Sequence, residues 1–127
     1  GLRFDDALLV NGESNSESAR LAARQLLSLD EPPSAIMAAN NLMTIGAMHA
    51  LRDAGVGVPE QMALVGFDDF DWADFFVPRL SVIAQPVHEL GARAVQLLLQ
   101  RIDHPDGMRL CERLSPTLRI RNSCGCP

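Results

Sequence analysis

The sequence predicts an α/β fold, a parallel sheet flanked by helices, and three observations carry that reading. Short, continuous apolar runs alternate with longer amphipathic stretches in the order strand, helix, strand, helix, strand. Continuous apolar runs are what strands of a covered parallel sheet look like. Hydrophobic residues make up 47% of the 127 residues, which supports a globular core and not a disordered chain.

The elements come in order along the chain. Ala7-Leu8-Leu9-Val10 reads as a first buried strand. Ser14 and Glu17 have capping-box spacing, and Ala19, Ala22, Ala23, Leu26 and Leu27 then recur at helical intervals until Pro32-Pro33. Ala35 to Ala39 is a second strand. Asn40 and Asn41 open a helix with Met43, Ala47, Ala50, Leu51 and Ala54 on one apolar face. Leu42, Ile45 and His49 make a second face, less polar than a solvent face should be, and Gly55 ends the helix. Met62 to Val65 is a third strand, closed by Gly66-Phe67-Asp68-Asp69. Leu80 to Ala84 is a fourth, and Pro86 begins a helix with Val87, Leu90, Ala94, Leu97, Leu98 and Ile102 on its inner side. Arg109 to Leu114 and Thr117 to Arg121 are two short final strands. There is no internal repeat.

In an open parallel sheet, ligands bind beyond the carboxyl ends of the strands. Asn11-Gly12-Glu13, Asn40-Asn41 and Asp68-Asp69 stand at three such ends. A carboxylate accepts two hydrogen bonds and an amide both donates and accepts, so the set suits neighbouring hydroxyls of a polyol or nucleoside-like ligand. A structural role competes at each position. Asn40 or Asn41 is equally a helix cap, Asp68 and Asp69 cap a short following segment, Gln85 is a loop residue, and Ser14, Ser16 and Ser18 are capping or exposed. Trp72, Phe75 and Phe76 cluster among Asp69, Asp71 and Asp74. They pack on the core, stack on a ligand or form a subunit interface, and the second face around Ile45 favours the interface.

No catalytic set stands out. A nucleophile elbow, a phosphate-cradling glycine loop and a metal-ligand helix are all missing from the sequence, so an enzyme is not expected, and neither is a cofactor. Cys124-Gly-Cys126 lacks the further ligands a zinc site needs, so no metal is expected and the tail reads as loose and reduced. The net charge of −5, with no basic run, makes the chain a poor direct partner for nucleic acid. No stretch suits a membrane span or a secretory signal, which leads to an expectation of a cytoplasmic protein. The start at Gly1 suggests an excerpt or a processed product.

Longer stretches resemble a known family. Ala35 to Ala47 (AIMAANNLMTIGA), Gly55-Val56-Gly57-Val58-Pro59, Ala63 to Asp69 (ALVGFDD), Pro78 to Pro86 (PRLSVIAQP), with Gly91 and the Leu97-Leu98-Leu99 helix, and Leu114 to Ser123 are similar to signature segments of LacI/GalR transcription regulators. The match runs through nearly the whole chain in order and spacing.

The resemblance implies a region of a two-lobed effector domain like that of type I periplasmic sugar-binding proteins. Residues 1–85 and 116–127 would form the C-terminal lobe and residues 86–115 part of the N-terminal lobe. The helix-turn-helix that touches operator DNA would lie outside this chain. Asn40, Asp68 and Gln85 match effector-contacting positions, Asn41 stands where many members have Asp, and Ser14 stands where several members place a stacking aromatic. Ile45, Trp72, Phe75 and Phe76 match dimer-interface positions. The implied function is effector sensing and dimerisation in a repressor, with a sugar or related small polar metabolite as ligand. A sugar-binding component of an importer is the alternative with the same fold. A half-domain leaves strand edges open, so the chain alone is expected to self-associate.

Overall fold

In a computed structural model, which describes residues 5–126, four strands form one sheet in the order β1-β2-β3-β4. They are β1 (Ala35–Ala38), β2 (Ala63–Phe67), β3 (Ser81–Ala84) and β4 (Thr117–Arg119). β1 pairs parallel with β2, and β2 parallel with β3, in the registers Ile36 opposite Leu64 and Gly66 opposite Val82. β4 runs antiparallel along β3, with Leu118 opposite Ile83. Helices α1 (Ser16–Leu27) and α2 (Asn41–Asp53) supply the packed layer, and α3 (Val87–Asp103) comes after β3.

Side-chain alternation decides which face is covered. Ile36 and Ala38 of β1 and Leu64 and Gly66 of β2 are buried, while Met37 between them is 63% exposed. Against the buried face α2 sets Ala47, Ala50 and Leu51, and Leu80, Val82 and Met62 complete the core. The helix layer is close because its contact residues are small. A methyl group at Gly46 would overlap the Ser16 carbonyl oxygen and come within 2.9 Å of the Arg20 nitrogen, so only glycine lets α1 and α2 approach so closely.

Four expectations need correction. Ala7 to Val10 is not a strand. Asp5 caps a single 3-10 turn, Asp6–Leu8, by accepting from the Ala7 N–H at 2.9 Å. That local bond competes with sheet pairing, and a slot of about 170 Å³ opens between residues 8–10 and β1 and α1, with Val10 packed against the core. The box residues Ser14 and Glu17 do not start α1; Asn15 does, accepting from the Ser18 N–H at 2.9 Å. Arg109 to Leu114 is not a strand either and pairs with none of the four strands. An ion pair between Arg93 and Glu112 holds this segment beside α3 instead. Finally, the apolar stripe of α3 is not an inner side: none of its residues is buried.

Candidate functional site

Three parallel strands end at one edge of the sheet, and of the predicted effector residues Asn40, Asn41, Asp68 and Gln85 collect there, while Ser14 does not. Asn40 lies two residues beyond β1 and caps α2, its Oδ1 accepting from the Met43 N–H at 2.8 Å. Its Oδ1 is thereby engaged, and the cap does not use the two N–H groups of Nδ2. Asn41 is the first residue of α2, and its Oδ1 accepts from the Leu42 N–H at 2.8 Å. Both asparagines therefore have a local structural role.

Asp68 lies one residue past β2 with φ +72°, a left-handed backbone that turns the chain out of the sheet. Its N–H donates to the Ile83 carbonyl at 3.0 Å, which ties the turn to β3. Gln85, one residue past β3, donates from Nε2 to Asp68 Oδ1 at 2.6 Å. The two side chains, seventeen positions apart, thus form one polar unit, half-buried at Asp68 and exposed at Gln85. A ligand hydroxyl at this edge would meet a carboxylate that a side-chain amide orients.

Ser14 sits apart from that unit, on the exposed turn before α1. Glu13 and Ser14 both have positive φ, 49° and 54°. Asn11 Oδ1 holds this turn by accepting from the Glu13 N–H at 2.9 Å, and Glu13 accepts from Ser18 Oγ at 3.1 Å. Gly12 in the same turn abuts Met43 in the first turn of α2, so the loop borders the strand-end edge.

Asp69 has a different task from its neighbour. Both of its oxygens accept from Arg121, at 3.1 Å each, and Arg119 also reaches Oδ2 at 3.1 Å. Arg121 donates further to the Leu80 carbonyl at 2.7 Å and pairs with Asp74 at 2.7 Å. The hydrogen bond to Asp69 holds the Arg121 guanidinium above its ordinary range, against burial, with the charges of Asp69 and Asp74 adding to it. This cluster fixes the Asp68–Pro78 loop and with it the direction of Asp68. Neither arginine is among the residues that sequence reasoning singles out. Their two-residue spacing at the end of β4 is the available signal, since it puts both on one side of an extended chain.

The aromatic cluster divides. Phe70 and Phe76 pack against the core, and Trp72 stacks on Phe76 with centroids 5.6 Å apart. Phe75 points outward at 83% exposure and Val77 at 94%. Ile45 is half-buried on α2. A groove of about 900 Å³ lies at the opposite end of the strands, where Val58, Pro59, Arg79 and Cys126 line it with residues of α2. Among the described residues no group of three or more His, Cys, Asp or Glu could hold a metal ion. Among them too, no helix is long and apolar enough to cross a membrane.

Residues 2–124 match the family model described as a periplasmic binding protein-like domain. The chain is 37% identical over 123 residues to the ribose operon repressor of Escherichia coli strain K12, covering 97% of this chain and 37% of that protein. It is 32% identical to the HTH-type transcriptional repressor PurR of Photobacterium profundum, with the same coverage of both. A solved complex of the transcriptional regulator CelR with cellobiose superposes with a TM-score of 0.89 at 31% identity, over 96% of this chain and 37% of that one. The chain thus spans a little over a third of the length of the relatives it matches. With the fold, the strand-end edge and these relatives in agreement, the chain belongs to the periplasmic binding protein-like domain family, among its LacI/GalR regulators.

Proposed function

We propose that this chain is the effector-sensing and dimerisation region of a DNA-binding transcription regulator, and that its ligand is a sugar or a related small polar metabolite. The observation that carries the ligand class is the Gln85–Asp68 hydrogen bond at the carboxyl edge of the parallel strands, next to the α2 cap at Asn40. An oriented carboxylate that accepts from two adjacent hydroxyls suits a saccharide. Cellobiose in the CelR complex and ribose in the name of the Escherichia coli repressor support the same class. Relatives named as repressors favour a regulator over an importer component.

Residues 1–85 and 116–127 act as one lobe and residues 86–115 as part of the other. α3, which lacks any buried residue, and β4, which returns to the sheet edge, support this division. Ile45, Trp72, the exposed Phe75 and Phe76 form the dimer contact. Effector binding favours one arrangement of the lobes, and that differential affinity shifts the population. The resulting change moves the two DNA-binding units of the dimer, which read half-sites about one helical turn apart. Operator DNA is contacted outside residues 1–127.

The test is calorimetric titration of the intact gene product with aldopentoses, disaccharides and purine bases. A saccharide is expected to bind, and Asp68→Ala to weaken it by about tenfold or more, the loss of a charge-assisted hydrogen bond. Binding of a purine base alone, or unchanged saccharide affinity in Asp68→Ala, overturns the assignment.

A further inference from the structure

Effector sensing makes no use of the thiols that come after β4, yet the fold places them with care. Asn122 and Ser123 both donate their N–H groups to the Arg79 carbonyl, at 3.1 and 3.0 Å. Ser123 is wholly buried, and its Oγ donates to the Leu64 carbonyl at 2.6 Å and accepts from the Ser81 N–H at 2.8 Å. Its carbonyl accepts from the Leu64 N–H at 2.7 Å. The expected loose tail is therefore anchored into the core at the residue before Cys124.

Gly125 then reverses the chain with φ +67°, its N–H bonded to the Asn122 carbonyl at 3.3 Å. The turn folds Cys126 back on Cys124: the Cys126 N–H donates to Cys124 Sγ at 3.3 Å, and the Cys126 thiol donates to the Cys124 carbonyl at 3.9 Å. Two residue steps span at most about 7 Å even when extended, and a turn shortens them into the range that disulfides bridge. Both residues are free thiols, and Cys126 is exposed on the wall of the large groove with His49, Arg52 and Arg79.

We propose that Cys124 and Cys126 form a reversible thiol–disulfide switch, oxidised by a small peptide disulfide. The Cys124 thiolate attacks one sulfur of the small disulfide. That S–S bond breaks, a mixed disulfide forms on Cys124, and the first small thiolate leaves and takes a proton. Cys126, deprotonated to solvent, attacks Cys124 Sγ, and the second small thiol leaves with a proton. Two electrons pass from the protein pair to the external disulfide, two protein thiols become one disulfide, and two small thiols are released. Disulfides in a reducing compartment are typically of this transient, sensing kind.

The pair is also differentiated as attacking and resolving thiols. Burial raises the Cys124 pKa, but hydrogen bonds from Cys126, Ser81 and the adjacent backbone outweigh it and hold the thiol below its ordinary range. The same bond to Cys124, with burial and the Cys124 charge, pushes Cys126 up.

The experiment incubates the reduced intact protein with excess oxidised glutathione, alkylates the remaining thiols and digests with trypsin. Cleavage after Arg121 leaves Cys124 and Cys126 on one peptide and Cys111 on another. The expected product is an unalkylated peptide starting at Asn122, lighter by two hydrogens, restored by dithiothreitol. Cys126→Ser is expected to stop at a glutathione adduct on Cys124. Circular dichroism establishes that the variant folds. A lasting glutathione adduct in the unsubstituted protein, a bridge from either residue to another cysteine, or full alkylation of both Cys124 and Cys126 overturns the switch. None of these readouts involves the effector.

Discussion

Helices α2 and α3 obey one sequence rule and meet opposite fates. Each has an apolar stripe at helical spacing, and α3 is the longer, with seventeen residues against thirteen. α2 buries Thr44, Gly46, Ala47, Ala50 and Leu51, whereas no residue of α3 is buried. Val87, Val95, Leu98, Leu99 and Ile102 all stay exposed. Amphipathic periodicity determines which face of a helix seeks cover; it does not supply the cover. Flanking by paired strands does not decide it, since α2 lies between β1 and β2 and α3 between β3 and β4. α2 lies on the buried face of the sheet, whereas α3 runs into an irregular segment that holds it by an ion pair.

The largest effect on this contrast is expected from the α2 side. Leu64 is buried where β2 faces α2, so Leu64→Ala is expected to cost about 2–5 kcal/mol by loss of transfer energy and creation of a cavity. Urea unfolding of the variant measures it. A cost near zero would mean that α2 rests on the sheet as loosely as α3 stands beside it.

A smaller loss is expected at Arg121, whose side chain is 10% exposed. Arg121→Ala leaves Asp69 with Arg119 alone and takes a donor from the Leu80 carbonyl. The expected cost is about 1–3 kcal/mol. Asp69 raises the Arg121 pKa, so the arginine stays charged through the neutral range and the gap between the two proteins should be constant there. Urea unfolding of both proteins at neutral pH measures it, and a gap near zero would place the stabilisation elsewhere.

The same division between local and distant causes decides what the sequence reveals. The alternation of runs and amphipathic stretches locates β1, β2, β3, α1, α2 and α3, since each is coded within its own window. The strand-end position of Asn40, Asp68 and Gln85 is legible too, because a parallel sheet sends every strand out at one edge. The Asp68–Gln85 bond and the Asp69–Arg121 pair are not, since they join residues 17 and 52 positions apart. Ala7 to Val10 and Arg109 to Leu114 have the apolar content of strands, but the Asp5 turn takes up the first and the Arg93–Glu112 ion pair holds the second beside α3, neither of which composition encodes. The aromatic triplet reads as one unit in sequence, yet burial separates Phe76 from Phe75, because neighbours on an irregular turn point in opposite directions.

The smallest effect is expected at Leu98, and it is the most discriminating between the two helices. The side chain is 58% exposed, so Leu98→Ser in the 127-residue chain should change stability by no more than about 0.5 kcal/mol. In the intact gene product, where the proposed second lobe covers α3, the same substitution should cost about 2–5 kcal/mol, as a buried leucine does. The ratio between the two measurements reads the cover directly. Equal small effects would leave α3 bare in both and remove the support for assigning residues 86–115 to another lobe. Equal large effects would mean that the short chain covers α3 by itself, and light scattering would then show an assembly that Leu98→Ser dissociates. An uncovered stripe of this size is the kind of surface that drives such association, so the contrast between α2 and α3 is a statement about where the rest of the core resides.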